Sequence, residues 1–151
     1  MKKFRFPLQP IARLRAHYEM RAREAFGSAV AACVEAERKH ARVIARVGAF
    51  ESAVVAGRQE NFSGADEAAN LGAYREELGF EAQSAKARAA AQVAMEQRRR
   101  EYVEAHRRLE VMERLEAKAR AVHQLELNRA EQAEFDDIAS QRSARKTISN
   151  S

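Results

Sequence analysis

Both prolines of this 151-residue chain, Pro7 and Pro10, lie in its first ten residues, and from Phe80 to Ser151 there is neither proline nor glycine. Nothing in that stretch breaks a helix, and its alanine-, glutamate- and arginine-rich composition favours one. Pro10 suits a first helical turn, where its missing N–H is no loss. Turn-forming residues concentrate between Gly57 and Gly64, in the segment GRQENFSG. Ser63 or Asp66 can cap the helix that follows, with Glu67 close behind for its N-terminal dipole. The predicted layout is helix 1 over about 10–56, a turn over about 57–65, helix 2 over about 66–142 and a flexible serine-rich tail over about 143–151. No segment alternates apolar and polar residues strongly enough to propose a strand. The fold class is all-α.

At 1.5 Å per residue the helices would measure roughly 70 Å and roughly 115 Å, too long for burial in a small globule. A short connection between them implies an antiparallel hairpin. Along helix 1, Ile11, Leu14, Tyr18, Ala22, Ala25, Ala29, Ala32, Ala36, His40, Val43, Val47, Phe50 and Val54 step by three or four. Helix 2 gives Leu71, Tyr74, Leu78, Ala82, Ala85 and Ala89, then Tyr102, Ala105, Leu109, Met112, Leu115, Ala119 and Val122. Folding the chain about position 62 sets the alanine-rich stretches opposite each other. The expected architecture is an antiparallel two-helix coiled-coil hairpin with a longer second helix. About 25–30 residues of helix 2 are left over, carrying Leu125, Leu127, Phe135 and Ile138, and such an arm is marginal alone in water.

Chemistry is hard to find in this pattern. There is no glycine-rich phosphate loop, nucleophile elbow or metal-ligand spacing. The four histidines, His17, His40, His106 and His123, are scattered. His40 falls on the helix 1 seam, where it is either a satisfied interfacial histidine or a ligand, and the first reading is preferred. Cys33, the one cysteine, borders the same seam as a packed residue rather than a nucleophile. Asp136 and Asp137 form a carboxylate pair with no fixed acid/base partner. The expectation is a protein that is not an enzyme and needs no cofactor or metal. No apolar run is long enough to span a bilayer, so direct membrane insertion is not expected.

The net charge is +5, which suits an acidic partner. Arg98, Arg99, Arg100, Arg107 and Arg108 suggest a nucleic-acid patch. However, Glu96–Arg100, Glu104–Arg108, Glu110–Arg114 and Glu116–Arg120 are pairs at i,i+4 in the favourable orientation. A self-paired, solvated face is preferred, with no nucleic-acid partner. Residues 1–60 hold 12 basic and 6 acidic side chains, residues 61–96 hold 3 and 6, and residues 97–151 hold 12 and 10. In a hairpin the end with both termini would be basic and the start of helix 2 acidic, as suits a bridge between two partners.

Both ends of the chain resemble a known family. The opening FRFPLQPIARLRAHYE, with Phe4, Phe6, Leu8, Ile11, Leu14 and Arg15, resembles the start of the flagellar FliJ family. The closing segment resembles the family's C-terminal pattern at Glu113, Leu115, Arg129, Glu131, Gln132, Asp136, Ala139 and Arg142, with Phe135-Asp136-Asp137 where the family usually has Leu-Asp-Glu. The resemblance implies a stalk-like coiled coil, similar to the γ subunit of rotary ATPases. Such a protein would bind the export ATPase hexamer and promote its assembly, contact the membrane export gate protein, and handle export chaperones. It would be cytoplasmic and peripherally associated with the inner-membrane export apparatus. By analogy Phe4, Phe6, Leu8, Arg13, Arg15, Arg129, Glu131, Asp136 and Arg142 would engage the ATPase ring, and Phe50, Phe62 and Tyr74 the gate. An injectisome stalk, or a coiled-coil adaptor or chaperone acting without an ATPase, remains the alternative.

Overall fold

The computed structural model describes residues 2–60 and 63–150. It is all-α: α1 spans Gln9–Gln59 and α2 spans Gly64–Ser149, 51 and 86 residues long, with no strand among the described residues. Pro10 sits in the first turn of α1. The Gln9 N–H donates to the Phe6 carbonyl at 3.1 Å and the Ala12 N–H to that of Leu8 at 2.9 Å, which leads the chain into the helix. α2 opens on Ser63, whose hydroxyl accepts from the Asp66 N–H at 3.3 Å and donates to the Asp66 carboxylate at 2.7 Å. The first of these bonds satisfies the Asp66 N–H, one of the groups that a helix start leaves without partners. At the far end α2 runs past Arg142 to Ser149, where a flexible tail was expected. There the Thr147 hydroxyl donates to the Ser143 carbonyl, so the serine- and threonine-rich sequence bonds back onto the helix instead of ending it.

The chain forms two packed bodies: Tyr18–Ala105, and residues 2–17 with residues 106–150. In the first, α1 and α2 run antiparallel. His40 meets Ser84, Arg46 meets Glu77, Glu51 meets Tyr74 and Arg58 meets Glu67, and each pair straddles position 62, the expected fold point. The buried and half-buried side of α1 includes Glu19, Ala22, Phe26, Ala29, Cys33, Ala36, His40, Val43, Val47, Phe50, Val54 and Gly57. These positions alternate steps of three and four without a stutter, a heptad seam of period 3.5.

That seam corrects part of the sequence reading. From Ala36 to Val54 the expected and observed positions coincide. Towards the N-terminus the seam passes through Arg15 and Glu19, one residue beyond Leu14 and Tyr18, and Tyr18 is 50% exposed while Glu19 is 4% exposed. On α2 it passes through Glu77, Glu81 and Ser84 where Leu78, Ala82 and Ala85 were expected, and through Glu116 and His123 where Leu115 and Val122 were expected. The cause is common to all these sites. The seam carries polar residues there, and choosing the nearest apolar residue shifts the register by one.

Several polar seam positions are partnered, while Glu77 Oε2 is buried without a hydrogen bond, with Arg46 Nε 3.3 Å away. The Ser84 hydroxyl donates its one hydrogen to the Glu81 carbonyl at 2.9 Å, so it accepts from His40 Nδ1 at 2.8 Å, and that nitrogen carries the proton. His40 is therefore the satisfied interfacial histidine. Glu19 pairs with Arg23 one turn on, and the Arg23 guanidinium lies 6.0 Å from the centre of the Tyr102 ring. Phe26 stacks on Tyr102 with ring centres 6.0 Å apart and planes 6° apart. Val43 and Val47 form the most apolar part of the seam. Replacing Val43, 3% exposed, by Asp is expected to cost about 3 kcal/mol or more, because a charge would be desolvated without a partner. Leu14→Asp, at a position 48% exposed, should lower the thermal melt far less; equal losses in the two variants would refute the register.

Candidate interaction surfaces at the helix ends

The body formed by the terminal segments holds most of the residues expected to bind a partner. Before α1 begins, residues 2–8 lie along α2. The Phe4 ring packs on His123, with centres 5.5 Å apart at 53°, and the Arg120 guanidinium lies 4.7 Å from the Phe4 ring centre. Arg120 is held there by Glu116, which accepts from it at 3.1 Å. Spacings of four and three along α2 put Glu116, Arg120 and His123 on one face, and that face clamps Phe4. Phe4 and Phe6 are half-buried, Leu8 and Arg13 are exposed, and Arg15 is half-buried on the seam beside Ala12. Arg13 joins Phe4, Phe6 and Pro10 with Glu116 and Arg120 around one cleft. The Glu116–Arg120 pair was legible in the sequence. Its service to Phe4 was not, because the contact is set by long-range register.

Arg129, Glu131, Asp136 and Arg142 lie apart from that clamp. Every residue from Asn128 to Asn150 is exposed, and Gln132 donates to Asp136 one turn on at 3.0 Å. Phe135 and Ile138 are 66% and 48% exposed.

Near the turn the residues expected to meet an export gate behave differently. Phe62 lies outside the described residues. Phe50 and Tyr74 are half-buried on the seam, and the Tyr74 hydroxyl donates to Glu51 Oε1 at 2.7 Å. That bond, reinforced by burial, holds the phenol's pKa above its ordinary value. Close by, Arg58 pairs with Glu67 at 3.0 Å and Arg46 approaches Glu77 at 3.3 Å.

The arginine cluster of α2 is largely neutralised within the helix. Arg98 pairs with Glu101 at 2.9 Å, Arg99 with Glu96 at 3.0 Å, and Arg114 with Glu110 at 3.3 Å. Hydrogen bonds from these arginines hold the Glu96 and Glu101 carboxyls below their usual range. Among the described residues no group of His, Cys, Asp and Glu could hold a metal, and no helix is long and apolar enough to cross a membrane.

These features define an all-α helical-hairpin protein whose last helical turns are exposed. The family model of the flagellar FliJ protein matches residues 4–147, nearly the whole chain, and the chain belongs to the FliJ family. It is thus a coiled-coil protein related to flagellar export, in a family whose part in export is non-catalytic. No curated protein and no solved structure matches it.

Two outcomes test this geometry. Phe4→Ala is expected to lower stability by about 1 kcal/mol and to speed proteolysis within residues 2–8, since it removes the ring from between Arg120 and His123. An unchanged cleavage rate would mean the clamp does not hold the segment. For Tyr74, the folded pKa is raised, so the bond to Glu51 contributes fully below the phenol's ordinary value of 10.0 and is lost as pH rises through the raised value. The Tm advantage of the native chain over Tyr74→Phe should therefore shrink on raising the pH past 10.0.

Proposed function

We propose that this chain is a stalk-like coiled coil that binds the flagellar export ATPase ring, promotes its assembly, and links it to the membrane export gate and to export chaperones. Family membership supports the export role, and one observation favours a protein ring as partner. The last turns of α2, Asn128 to Ser149, are helical yet wholly exposed, with Phe135, Ile138 and Ile148 on their surface. An isolated helix of this length is marginal in water, and its apolar side chains gain burial only against another molecule. Arg129, Glu131, Asp136 and Arg142 supply charges for specificity there, and the basic N-terminal segment lies in the same packed body. The protein works at the cytoplasmic side of the export apparatus, associated with it peripherally. On this reading the gate would be met at the turn end, around Phe50, Phe62 and Tyr74.

The test is ATP hydrolysis and ring formation by the cognate export ATPase with and without this protein. Stimulation is expected, and deleting residues 129–151 should abolish it. Arg129→Glu with Arg142→Glu should weaken binding about tenfold or more at unchanged helicity. Absence of both binding and stimulation would overturn the stalk reading. Tight binding to an exported substrate alone would point to an adaptor or chaperone acting without an ATPase.

A further inference from the structure

A second apolar stripe runs beside the seam at the end holding the termini, and it is uncovered. Ile11 and Leu14 each precede a seam position of α1, as Val111, Leu115 and Val122 each precede one of α2. All five are between 43% and 50% exposed. In an antiparallel pair the residues preceding the seam on both helices share one side. The other packed body shows this directly: Lys39 and Arg46 of α1 line one groove with Phe80 and Gln83 of α2. At the terminal end the shared side is apolar instead. Val111 to Val122 extends about 17 Å, three turns of helix, a length that a third helix can fill by packing into the groove.

The rim gives the partner's charge. Leu115, Ala119 and Val122 form an apolar floor, and the groove above them is bordered by Lys2, Lys3, Arg5 and Lys118, with Glu126 as its one acid. Several other arginines of α2, Arg99, Arg114 and Arg120 among them, are matched by glutamates a turn away. No ion pair joins these four cations to an acid among the described residues. Further along α2 the chemistry reverses at Glu126, Glu131 and Glu134, which limits where an anionic ligand can extend. A lipid surface would also favour basic and aromatic residues together. Here, however, Phe4 is clamped between Arg120 and His123 and Phe6 is half-buried, so neither ring is presented for insertion.

We infer that this flank is a docking groove for an amphipathic helix of a partner protein, one with an apolar stripe bordered by acidic residues. The groove is separate from the exposed arm at Asn128–Asn150 and does not depend on the stalk reading. The bound helix buries Leu115 and Val122 and sets its carboxylates against Lys2, Lys3, Arg5 and Lys118.

The experiment titrates the full-length protein with two fluorescent helical peptides of about four turns. Both carry the same leucine stripe, and the polar face is glutamate in one and lysine in the other. The glutamate peptide should bind and the lysine peptide should not, with affinity falling about tenfold from low to moderate salt. Val122→Glu should abolish binding, Lys118→Glu should weaken it about fivefold, and Ile138→Glu, on the arm, should leave it unchanged. All three positions are exposed, and circular dichroism should show equal helicity. Equal binding of the two peptides, binding by neither, or binding insensitive to Val122→Glu would overturn the inference. So would self-association that Val122→Glu removes, which would assign the groove to a second copy. Co-sedimentation with anionic vesicles, coupled to no binding of the glutamate peptide, would assign the surface to lipid.

Discussion

The register of α1 against α2 is marked by cross-links between specific side chains more than by apolar area. Few side chains in the seam are buried and apolar: Cys33, Val43, Val47 and Met112. Alanine fills much of the remainder, which lets backbones approach but contributes little transfer free energy per residue. An apolar seam of that kind tolerates sliding, since one alanine fits opposite a helix as well as the next. His40 on Ser84, Glu51 on Tyr74, Arg58 on Glu67 and the Phe26–Tyr102 stack do not tolerate it. Each would lose its partner on a one-turn slip. Polar groups at a helix interface therefore act here as register marks, the use for which such groups in coiled coils are best attested.

This division of labour explains what the sequence disclosed. Fold class, turn and helix number followed from the positions of proline and glycine, because those residues act locally. The seam was legible where it is apolar, from Ala36 to Val54, and misplaced by one where Glu19, Ser84, Glu116 or His123 occupies it. A search for apolar residues cannot find a buried glutamate whose charge is met by Arg23 one turn away. The end of α2 was misjudged for a related reason. The serine-rich stretch was read as a flexible tail, whereas α2 runs to Ser149 and Thr147 bonds back to Ser143 within it.

The interaction surfaces were legible in composition and less so in geometry. Family resemblance rests on residues at both ends of the chain, and the match over residues 4–147 bears out the family. The one-residue displacement of the seam has a further meaning. Ile11, Leu14, Leu115 and Val122 looked like core because they are apolar and correctly spaced, yet the pairing of α1 with α2 leaves them outside it. Surplus apolar periodicity of this kind is readable in a sequence only after the primary seam has been fixed by other means.

The buried thiol of Cys33 gives the hairpin its own reporter. It sits 4% exposed in the alanine-rich part of the seam, and it is the single cysteine of the chain. A thiol reagent reaches it only when α1 and α2 separate locally, so its alkylation rate counts opening events at the weakest apolar stretch of the interface. A partner that changes how often α1 and α2 part near Cys33 thus shows itself as a slowing or quickening of one reaction at one sulfur.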